Sequence, residues 1–416
     1  MRMTCHGLAI LLLLLGIDHE TGFSQPSPFG EWFTRAPLPT PRQEIPHAVL
    51  NGKIYVPGGF TGGGVGTNIV EVYDPAANFW ATIPALPIAM HHLAFAAANG
   101  KLYVLGGYAG NSFSPSRRVF EFDFAGNAWS EKTPMPSARG AGVAAEFDGK
   151  IFVIGGVNSS GAVVGTNQMY DPAMDNWTTL ASMPTPREHL AAATIDSLIY
   201  VAGGRDFSQG GNTAKLEAYS PTSNKWYTLA NMPTARGGLA ASALHGKLYV
   251  FGGEFPGVFS EAEEYDPATN SWRQVTSMPT PRHGMGAAAI ADTIFIIGGG
   301  PVAGFGVSEV NSGFTISAPT RVDEESDVPR GYKLFQNYPN PFNAGTMIRF
   351  EVPRPSAVTL KIFDVSGREV ATLWEGKVAS GNHHVRWDAT AMSGGLYFYQ
   401  LRANHFVHAK KLVLLK

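Results

Sequence analysis

The sequence is nearly free of cysteine: Cys5 is the single one among 416 residues. It precedes an apolar run over residues 8–17, with Arg2 before that run and the small residue Ser24 after it. This order of basic, apolar and small-residue regions is typical of a secretory signal peptide, which we assign to residues 1–24. Its removal leaves no thiol in the mature chain, which excludes disulfides and every metal or redox site built on cysteine.

Charged residues and long apolar runs are also scarce. Asp, Glu, Lys and Arg make up 15% of the chain, and the formal net charge is −2. No basic stripe is present, which argues against a nucleic-acid partner. The run over residues 8–17 is about half as long as the roughly 20 apolar residues of a membrane-spanning helix. We therefore expect no transmembrane segment.

The sequence lacks the short motifs of common catalytic sites: it has no Gly-x-Ser-x-Gly elbow, no His-Glu-x-x-His and no phosphate-binding loop. The glycine-rich stretch GGFTGGGVG, residues 58–66, joins two strand-like runs and opens no helix, so it does not fit a phosphate-binding loop. His383 and His384 stand at successive strand positions and therefore point to opposite faces. The sequence thus predicts no cofactor and no metal site.

Glycine, proline and a long repeat are what the sequence has in abundance. It contains 48 Gly and 29 Pro, and aromatic residues make up 11%, which favours short strands and turns over helices. Gly-Gly pairs and Trp residues recur in steps of 46 to 49 residues. The pairs begin at residues 58, 106, 155, 203, 252 and 298, and the Trp residues are at positions 32, 80, 129, 177, 226 and 272. Self-similarity of this period is typical of solenoids and propellers.

Each repeat contains four strand-like segments. The first is rich in Ala and Gly, and a tight turn such as Asn51-Gly52 leads into the second. The second ends at the Gly-Gly pair, the third commonly ends in Tyr-Asp-Pro, and the fourth carries the Trp. Six such units predict an all-β fold, a six-bladed β-propeller over residues 28–314. Because Trp32 has no Gly-Gly pair before it, we expect the N-terminal strand around residues 31–35 to complete the last blade.

These features resemble the kelch repeat, with its hydrophobic run, double Gly, Tyr and Trp at fixed offsets. The resemblance covers residues 28–314 and implies a propeller that binds proteins or carbohydrates or, in a few cases, catalyses a reaction. The fold alone does not choose among these functions. Copper oxidases with kelch propellers need a Tyr–Cys crosslink, which a chain without a thiol excludes. Sialic-acid mutarotases, which are exported six-bladed kelch proteins of bacteria, are an alternative whose catalytic residues have no assigned counterparts here.

The repeat gives way to a second module. Residues 315–331 are polar, acidic and flanked by Pro, as expected of a linker. Alternating strand patterns then predict a small immunoglobulin-like β-sandwich without a disulfide over residues 332–416.

This module resembles the C-terminal sorting domain of type IX secretion cargo. The resemblance rests on FQNYPNPFNAGTMIRFEVP at residues 335–353, VSGREV at 365–370, SGGLYFYQL at 393–401 and the closing KKLVLLK. It implies that the type IX secretion machinery recognises residues 332–416, and that a bacterium releases the protein or displays it on its outer surface after passage through the periplasm. A structural immunoglobulin-like spacer is the alternative.

An Arg in the sequence Pro-x-x-Arg also recurs. It is found as Arg42, Arg139, Arg187, Arg236 and Arg282, with Met90 in the second repeat. A ring of guanidinium groups around one mouth of the propeller could hold ligand carboxylates. The other interpretation is that these residues tie neighbouring blades together through backbone carbonyls. We expect the structural role, because Met90 interrupts the series without disturbing the spacing.

Residues that depart from the repeat at this same mouth of the propeller are the better candidates for ligand contacts. They are His91, His92, His189, Arg205, Asp206, Glu254 and His283. Taken singly, each is also compatible with an ordinary surface position. The repeated Trp residues are expected to pack between blades rather than to stack on sugars. The sequence therefore favours a binding module for protein or carbohydrate, with a carbohydrate-modifying enzyme as the alternative.

Overall fold

The computed structural model describes residues 29–316, 331–337 and 340–415. The chain divides into two compact units, Met1–Pro319 and Thr320–Lys416. The expected signal peptide, residues 1–24, and most of the expected linker lie outside the described residues.

Unit 1 is built from four-stranded antiparallel sheets, of which the described residues contain six. We number them sheet 1 to sheet 6 in chain order. The strands of sheets 1 to 3 are Ala48–Leu50, Lys53–Pro57, Val70–Asp74 and Phe79–Ile83; Ala94–Ala98, Lys101–Leu105, Val119–Asp123 and Ala128–Glu131; and Val143–Phe147, Lys150–Ile154, Asn167–Asp171 and Asn176–Leu180. The strands of sheets 4 to 6 are Ala191–Ile195, Leu198–Ala202, Leu216–Ser220 and Lys225–Thr228; Ala240–Leu244, Lys247–Phe251, Ala262–Asp266 and Ser271–Gln274; and Gly286–Ile290, Thr293–Ile297, Asn311–Thr315 and Glu31–Thr34.

The first strands of the sheets surround a central channel. Each contacts the first strands of its two neighbours, and Gly286–Ile290 of sheet 6 contacts Ala48–Leu50 of sheet 1, so the sheets close into a ring. Small residues predominate in these strands, for example AAATI at Ala191–Ile195, because bulkier side chains would collide where the strands converge. The fold of unit 1 is therefore a β-propeller, as the repeat predicts.

The two ends of the propeller chain meet in sheet 6. The N-terminal strand Glu31–Thr34 pairs with Asn311–Thr315, with Trp32 opposite Phe314. Thr315 is the last residue of the strand Asn311–Thr315 and pairs with Glu31, so this strand extends one residue beyond the expected end of the propeller at residue 314. This pairing covers the open edge that sheet 6 would otherwise present.

The repeated Trp side chains connect each sheet to the preceding one. Trp226 of sheet 4 donates from Nε1 to the carbonyl of Ala181, 2.7 Å away, in the segment that follows sheet 3. The equivalent bonds run from Trp32, Trp80, Trp129, Trp177 and Trp272 to the carbonyls of Thr276, Ala36, Pro84, Thr133 and Ala230. The indole rings are thus engaged in packing between sheets.

Short elements extend one face of unit 1. The two-stranded ribbons are Phe60–Thr61 with Val65–Gly66, Met90–His91 with Tyr108–Ala109, and Arg205–Asp206 with Gly211–Asn212. A 3-10 turn at Phe207–Gln209 is the one helical element among the described residues. Over residues 29–316, 331–337 and 340–415, no helix has the length and apolar character needed to cross a membrane.

Unit 2 is a small β-sandwich. One sheet contains Lys333–Leu334, Gly345–Val352 and Gly381–Asp388, and the other contains Phe342–Asn343, Phe406–Leu415, Gly395–Ala403, Ser356–Asp364 and Glu369–Val378. Side chains of both sheets, among them Phe350, Leu360 and Tyr399, form one buried core. Buried and more exposed positions alternate along its strands, as in residues 345–352, because one face of each sheet packs on the other.

Candidate functional site at the mouth of the central channel

One end of the central channel is narrowed by a ring of backbone hydrogen bonds. Its residues lie two positions after the repeated Arg, or after Met90 in the second repeat, and have positive φ angles; they are Glu44, His92, Ala141, His189, Gly238 and Gly284. Each of the last five donates to the carbonyl of the one before it over 2.8–3.3 Å, and Ile45 closes the ring by donating to Gly284 at 3.2 Å. Residues other than glycine seldom adopt this conformation. Where they are held in it, they often mark a functional site.

The repeated Arg side chains lie away from the channel, inside the sheets. Arg187 is representative: its guanidinium donates to the carbonyls of Val201 at 3.0 Å and Gly203 at 2.6 Å, and to the carboxylate of Glu217 at 2.5 Å. The side chains at positions 42, 139, 187, 236 and 282 belong to residues that are at most 2% exposed. A contact between these guanidinium groups and a ligand would therefore require the sheets to open.

The link between neighbouring sheets runs through the backbone at the Arg position. The amide of the second glycine in each Gly-Gly pair donates to the carbonyl of the residue at the Arg position of the neighbouring sheet. Gly204 donates to Arg236 in this way at 3.0 Å, and Gly59 donates to Met90 at 2.8 Å. The first glycine of a pair has to lack a side chain: at Gly203, with φ +56°, a Cβ would lie 2.7 Å from the carbonyl oxygen of Arg236. Neighbouring blades are thus tied by backbone hydrogen bonds, which any residue can make, and not by the guanidinium groups as the sequence led us to expect.

The residue that faces the Arg position differs between sheets, and in sheets 3 and 6 it is Gln168 and Ser312. In three sheets a carboxylate forms an ion pair over 2.5–2.9 Å, namely Arg42–Glu71, Arg187–Glu217 and Arg236–Glu263. In sheet 2, where Met90 replaces Arg, the corresponding strand position is Phe120, and both residues belong to one apolar core. The cation and the anion are lost together, so that sheet 2 does not keep an unpaired charge at this position.

Charged and imidazole side chains converge at the ring. We call the following residues the mouth cluster: Glu44, His92, Glu188, His189, Arg205, Glu254 and His283. Glu44 is at its centre. Its Oε2 lies 3.3 Å from Nε2 of His92 and 3.8 Å from Nε2 of His189, and its Oε1 lies 3.7 Å from Nε2 of His283. The cluster joins segments of sheets 1, 2, 4, 5 and 6 that are far apart in sequence.

Arg205 holds two carboxylates of the mouth cluster in place. Its Nε donates to Oε1 of Glu188 and its Nη1 donates to Oε1 of Glu254, both over 2.7 Å. The second oxygen of Glu188 contacts Nδ1 of His189. The second oxygen of Glu254 accepts from the amide of Gly304 at 3.0 Å. Both carboxylates are therefore oriented by partners on two sides.

His91 supports His92 from behind. Its Nδ1 lies 2.6 Å from Nδ1 of His92, and its Nε2 lies 3.0 Å from the carbonyl oxygen of Ser112. The ring of His91 also stacks on the buried ring of Phe60, with 3.8 Å between centroids. These contacts leave Nε2 of His92 directed at Glu44.

Burial and neighbouring charges shift the pKa values of these groups in different directions. Burial lowers the pKa of His91 to about 4 and lowers that of His92 well below its usual range. Burial opposes the charged form of His189 as well, but the carboxylate of Glu188 outweighs it and raises the pKa of His189. Burial disfavours the charged form of Glu188 too, yet His189 and Arg205 hold its pKa at about 2. Burial, aided by the negative charge of Glu188, raises the pKa of Tyr108 beside the two histidines to about 12.

Exposed phenyl rings surround the mouth cluster. We call Phe113, Phe207, Phe255 and Phe305 the aromatic rim; they are 57%, 63%, 36% and 60% exposed. The guanidinium carbon of Arg205 lies 5.3 Å from the ring centre of Phe207 and 4.9 Å from that of Phe255. Phe113 lies 5.2 Å from the ring of His91, and Phe305 lies 5.8 Å from the ring of Phe60. The rim offers apolar surface next to a polar centre.

The channel behind the ring forms a cavity of about 160 Å³. Glu44, His92 and His189 line its entrance, and small residues of the first strands, such as Ala94 and Ala191, line its wall. Sites for drug-sized ligands have volumes of roughly 300 Å³ or more. The cavity therefore fits one small polar molecule or the end of a larger one.

The structure brings most of the sequence-derived candidates together. His92, His189, Arg205, Glu254 and His283 belong to the mouth cluster, and His91 supports it. Asp206 does not join them, because its carboxylate accepts from Ser208 at the start of the 3-10 turn.

Sequence reasoning missed Glu44, Glu188, Tyr108 and the aromatic rim. Glu44 and Glu188 stand one or two positions after a repeated Arg, like His91 and His92 after Met90. Comparing those two positions across the repeats would have found both carboxylates. The rim residues lie in loops that have no common sequence pattern.

Comparisons with known proteins agree with this architecture. Residues 90–299 match the KLHDC2/KLHL20/DRC7 Kelch-repeats domain, residues 41–87 match the Kelch motif, and residues 336–415 match the secretion system C-terminal sorting domain. No curated protein matches the sequence significantly. The solved structure titled "Structure of YjhT" is similar with a TM-score of 0.59 at 18% identity, over 66% of this chain and 95% of that one. An identity this low shows the fold alone. The chain thus belongs to the kelch-repeat family and carries a C-terminal secretion sorting domain.

Proposed function

We propose that the propeller of this exported kelch protein is a binding module that takes a carbohydrate at the mouth cluster. The observation that carries the proposal is the convergence of Glu44, His92, His189 and Arg205 at one end of a cavity. These groups come from segments far apart in sequence, and an aromatic rim surrounds them. The sorting domain at residues 336–415 indicates secretion or surface display, where external glycans are encountered.

The chemistry of the site matches a sugar. Sugar hydroxyls both donate and accept hydrogen bonds, and the mouth cluster offers carboxylates that accept and imidazole groups that do either. The face of a sugar ring that bears its C–H bonds is apolar and fits against an exposed phenyl ring such as that of Phe207. A cavity of about 160 Å³ limits what enters it to roughly one sugar unit, so a longer chain would extend across the rim.

A protein ligand is the other binding class. The rim presents four exposed phenyl rings, and aromatic residues commonly anchor protein interfaces. A protein partner would use the rim but leave the buried carboxylates of the mouth cluster without a role. The polar entrance of the cavity therefore favours the carbohydrate.

A carbohydrate-modifying enzyme is the second candidate function. The observation that favours it is that imidazole and carboxylate groups line one cavity, with the Arg205–Glu188 pair beside them, as acid–base catalysis requires. Interconversion of sugar anomers breaks and re-forms the bond between the anomeric carbon and the ring oxygen, and it needs proton transfers at these oxygens but no cofactor. It is therefore the reaction to test first.

A screen of neutral and acidic sugars by saturation-transfer NMR tests both candidates. We expect a sugar to bind and Phe207→Ala to weaken its affinity about fivefold to tenfold, the equivalent of one lost ring contact. Phe79→Ala is the matched control, since Phe79 is 64% exposed on the fourth strand of sheet 1. Equal effects of the two substitutions, or no sugar binding at all, would contradict the proposal. Protein-dependent exchange between anomers in the same spectra would establish the enzyme instead.

A further inference from the structure

Three polar contacts in a row lead to Glu44, and the groups that make them carry one proton fewer than three hydrogen bonds require. This line of contacts runs from the carbonyl of Ser112 to His91, from His91 to His92 and from His92 to Glu44, over 3.0, 2.6 and 3.3 Å. Both ends of the line are oxygen acceptors. Two neutral imidazole rings carry one N–H each, which gives two protons for three contacts. With His91 donating to Ser112 and His92 donating to His91, the lone pair of His92 Nε2 faces the carboxylate.

A second line ends at the same oxygen. His189 lies between Glu188, which contacts its Nδ1, and Glu44, whose Oε2 is 3.8 Å from its Nε2. A neutral ring that donates to Glu188 also points the lone pair of Nε2 at Glu44. Two nitrogen lone pairs and one carboxylate oxygen therefore face one point.

A single cation at that point satisfies both lines at once, whereas a single proton satisfies only one of them. The ring centres of His92 and His189 are 4.9 Å apart, and two imidazolium ions at that distance repel each other. The mouth cluster contains three carboxylates, those of Glu44, Glu188 and Glu254, and one guanidinium, that of Arg205, which pairs with Glu188 and Glu254. The surroundings therefore favour an added positive charge.

We propose that Glu44, His92 and His189 bind a divalent transition-metal ion, with zinc the best match. Two imidazoles and one carboxylate are a common donor set for zinc with an open fourth position. Metal–ligand bonds of about 2.0–2.2 Å place tetrahedral ligand atoms about 3.4 Å apart. The observed distances from Oε2 of Glu44 are 3.3 and 3.8 Å, and the three ligand atoms lie within 4.8 Å of one another.

Outer contacts of the kind that support metal ligands are present. The second nitrogen of a metal-bound histidine usually bonds to a carboxylate or another acceptor, which fixes the ring and directs its lone pair. Glu188, itself held by Arg205, takes this role for His189, and His91 takes it for His92. Because Glu44, His92 and His189 all line the channel cavity, water or a ligand hydroxyl in that cavity would complete the coordination.

A neighbouring triad is a weaker candidate. Glu44, Glu254 and His283 also lie within 4.8 Å by one ligand atom each. Both oxygens of Glu254 are already engaged, by Arg205 at 2.7 Å and by the amide of Gly304 at 3.0 Å. A metal there would have to displace these donors, so the site with His92 and His189 is preferred.

Zinc titration of the untagged, chelator-treated full chain tests the proposal. We expect one zinc ion per chain by elemental analysis and calorimetry, and visible absorption bands from four-coordinate cobalt when cobalt is used instead. His92→Gln and His189→Gln should each weaken zinc binding by more than about 100-fold, because loss of an outer partner alone costs about 10–100-fold. His91→Phe, which removes such a partner, should fall within that lower range.

His245→Gln is the matched control. His245 is exposed and its Nε2 lies 2.8 Å from Asp292 on a distant hairpin, so its loss should leave zinc affinity unchanged. Circular dichroism identifies a variant that fails to fold, in which case the other histidine variant and the cobalt spectrum of the wild type decide. Absence of stoichiometric zinc, or zinc binding that survives both substitutions, would overturn the proposal. Sugar binding by the metal-free chain would be measured separately, so the two proposals fail independently.

Discussion

At the scale of single residues, the repeated Arg stabilises the sheet that it enters. In sheet 4, for example, the guanidinium of Arg187 connects the second and third strands through Val201, Gly203 and Glu217. Thr185 adds a hydrogen bond to the other oxygen of Glu217, at 2.9 Å. In sheet 2 the positions of this Thr–Arg–Glu set are occupied by Ile88, Met90 and Phe120, which pack in one apolar core. The same place in the fold is thus filled either by a polar set or by an apolar one.

The two alternative sets predict what happens to stability when the residues of sheet 2 are introduced into sheet 4. Arg187→Met alone leaves the carboxylate of Glu217 buried without its cation and should cost about 3–5 kcal/mol of unfolding free energy. The triple change Thr185→Ile, Arg187→Met and Glu217→Phe reproduces the set of sheet 2 and should restore most of that loss. Chemical denaturation followed by fluorescence compares the variants. Equal losses in the single and triple variants would show that the pairing does not determine stability.

A second residue-scale prediction concerns acid stability. Burial, together with the charges of Arg42 and Arg282, lowers the pKa of His47 to about 3, whereas an unfolded histidine has a pKa of about 6.5. Between these values the unfolded chain binds the extra proton, so His47 makes stability fall as the pH falls, by at most about 1.4 kcal/mol per pH unit. Above pH 6.5 the effect vanishes.

His47→Phe removes this titration, and Phe95 occupies the equivalent position of sheet 2. We expect the stability of the variant to depend less steeply on pH between about 4 and 6.5 than that of the wild type, as measured by denaturant midpoints at several pH values. Other buried histidines are present in both proteins, so the difference in slope isolates His47. Identical slopes would contradict the assigned cause.

At the scale of strands, the pairing of Glu31–Thr34 with Asn311–Thr315 holds the ring closed. Trp32 is its main anchor: its Nε1 donates to the carbonyl of Thr276 at 2.8 Å, and its ring packs on Phe251 and Phe314. The other repeated Trp side chains make the same bond to the preceding sheet, so closure uses the ordinary contact between sheets.

Trp32→Ala should therefore destabilise the propeller by about 3 kcal/mol, the cost of removing a large packed aromatic side chain. Differential scanning calorimetry should show the loss as a lower melting temperature of the propeller transition. Trp374→Ala in unit 2 is the control, since Trp374 is 41% exposed and substitutions at such positions usually change stability little. A propeller transition unaffected by Trp32→Ala would mean that the N-terminal strand does not hold the ring.

At the scale of the whole molecule, the repeat was sufficient to predict the propeller, because every period carries the same strands, turns and Trp. The site was harder to predict, because it depends on where the sequence departs from the repeat and on which departures face the axis. Glu44 and Glu188 adjoin repeated Arg residues and look like parts of the repeat. Asp206 adjoins Arg205 but turns away to cap a short helix. Only the closed ring brings residues of separate sheets within 4 Å of Glu44.

Export is also a whole-molecule property. The sorting domain predicts that the extracellular form has lost residues 332–416, and the N-terminal sequence predicts that residues 1–24 are absent as well. Intact mass spectrometry of the native protein measures both ends at once. An extracellular form that keeps residues 332–416 would support the spacer interpretation of unit 2.

The location of a bound sugar is the most direct test of the central claim that this kelch protein binds its ligand at the mouth cluster. The measurement is a crystal structure of the propeller with the best sugar from the screen. We predict difference density between the aromatic rim and Glu44, His92, His189 and Arg205. Density on the outer strands or at the opposite end of the channel, with the mouth cluster unliganded, would contradict the account.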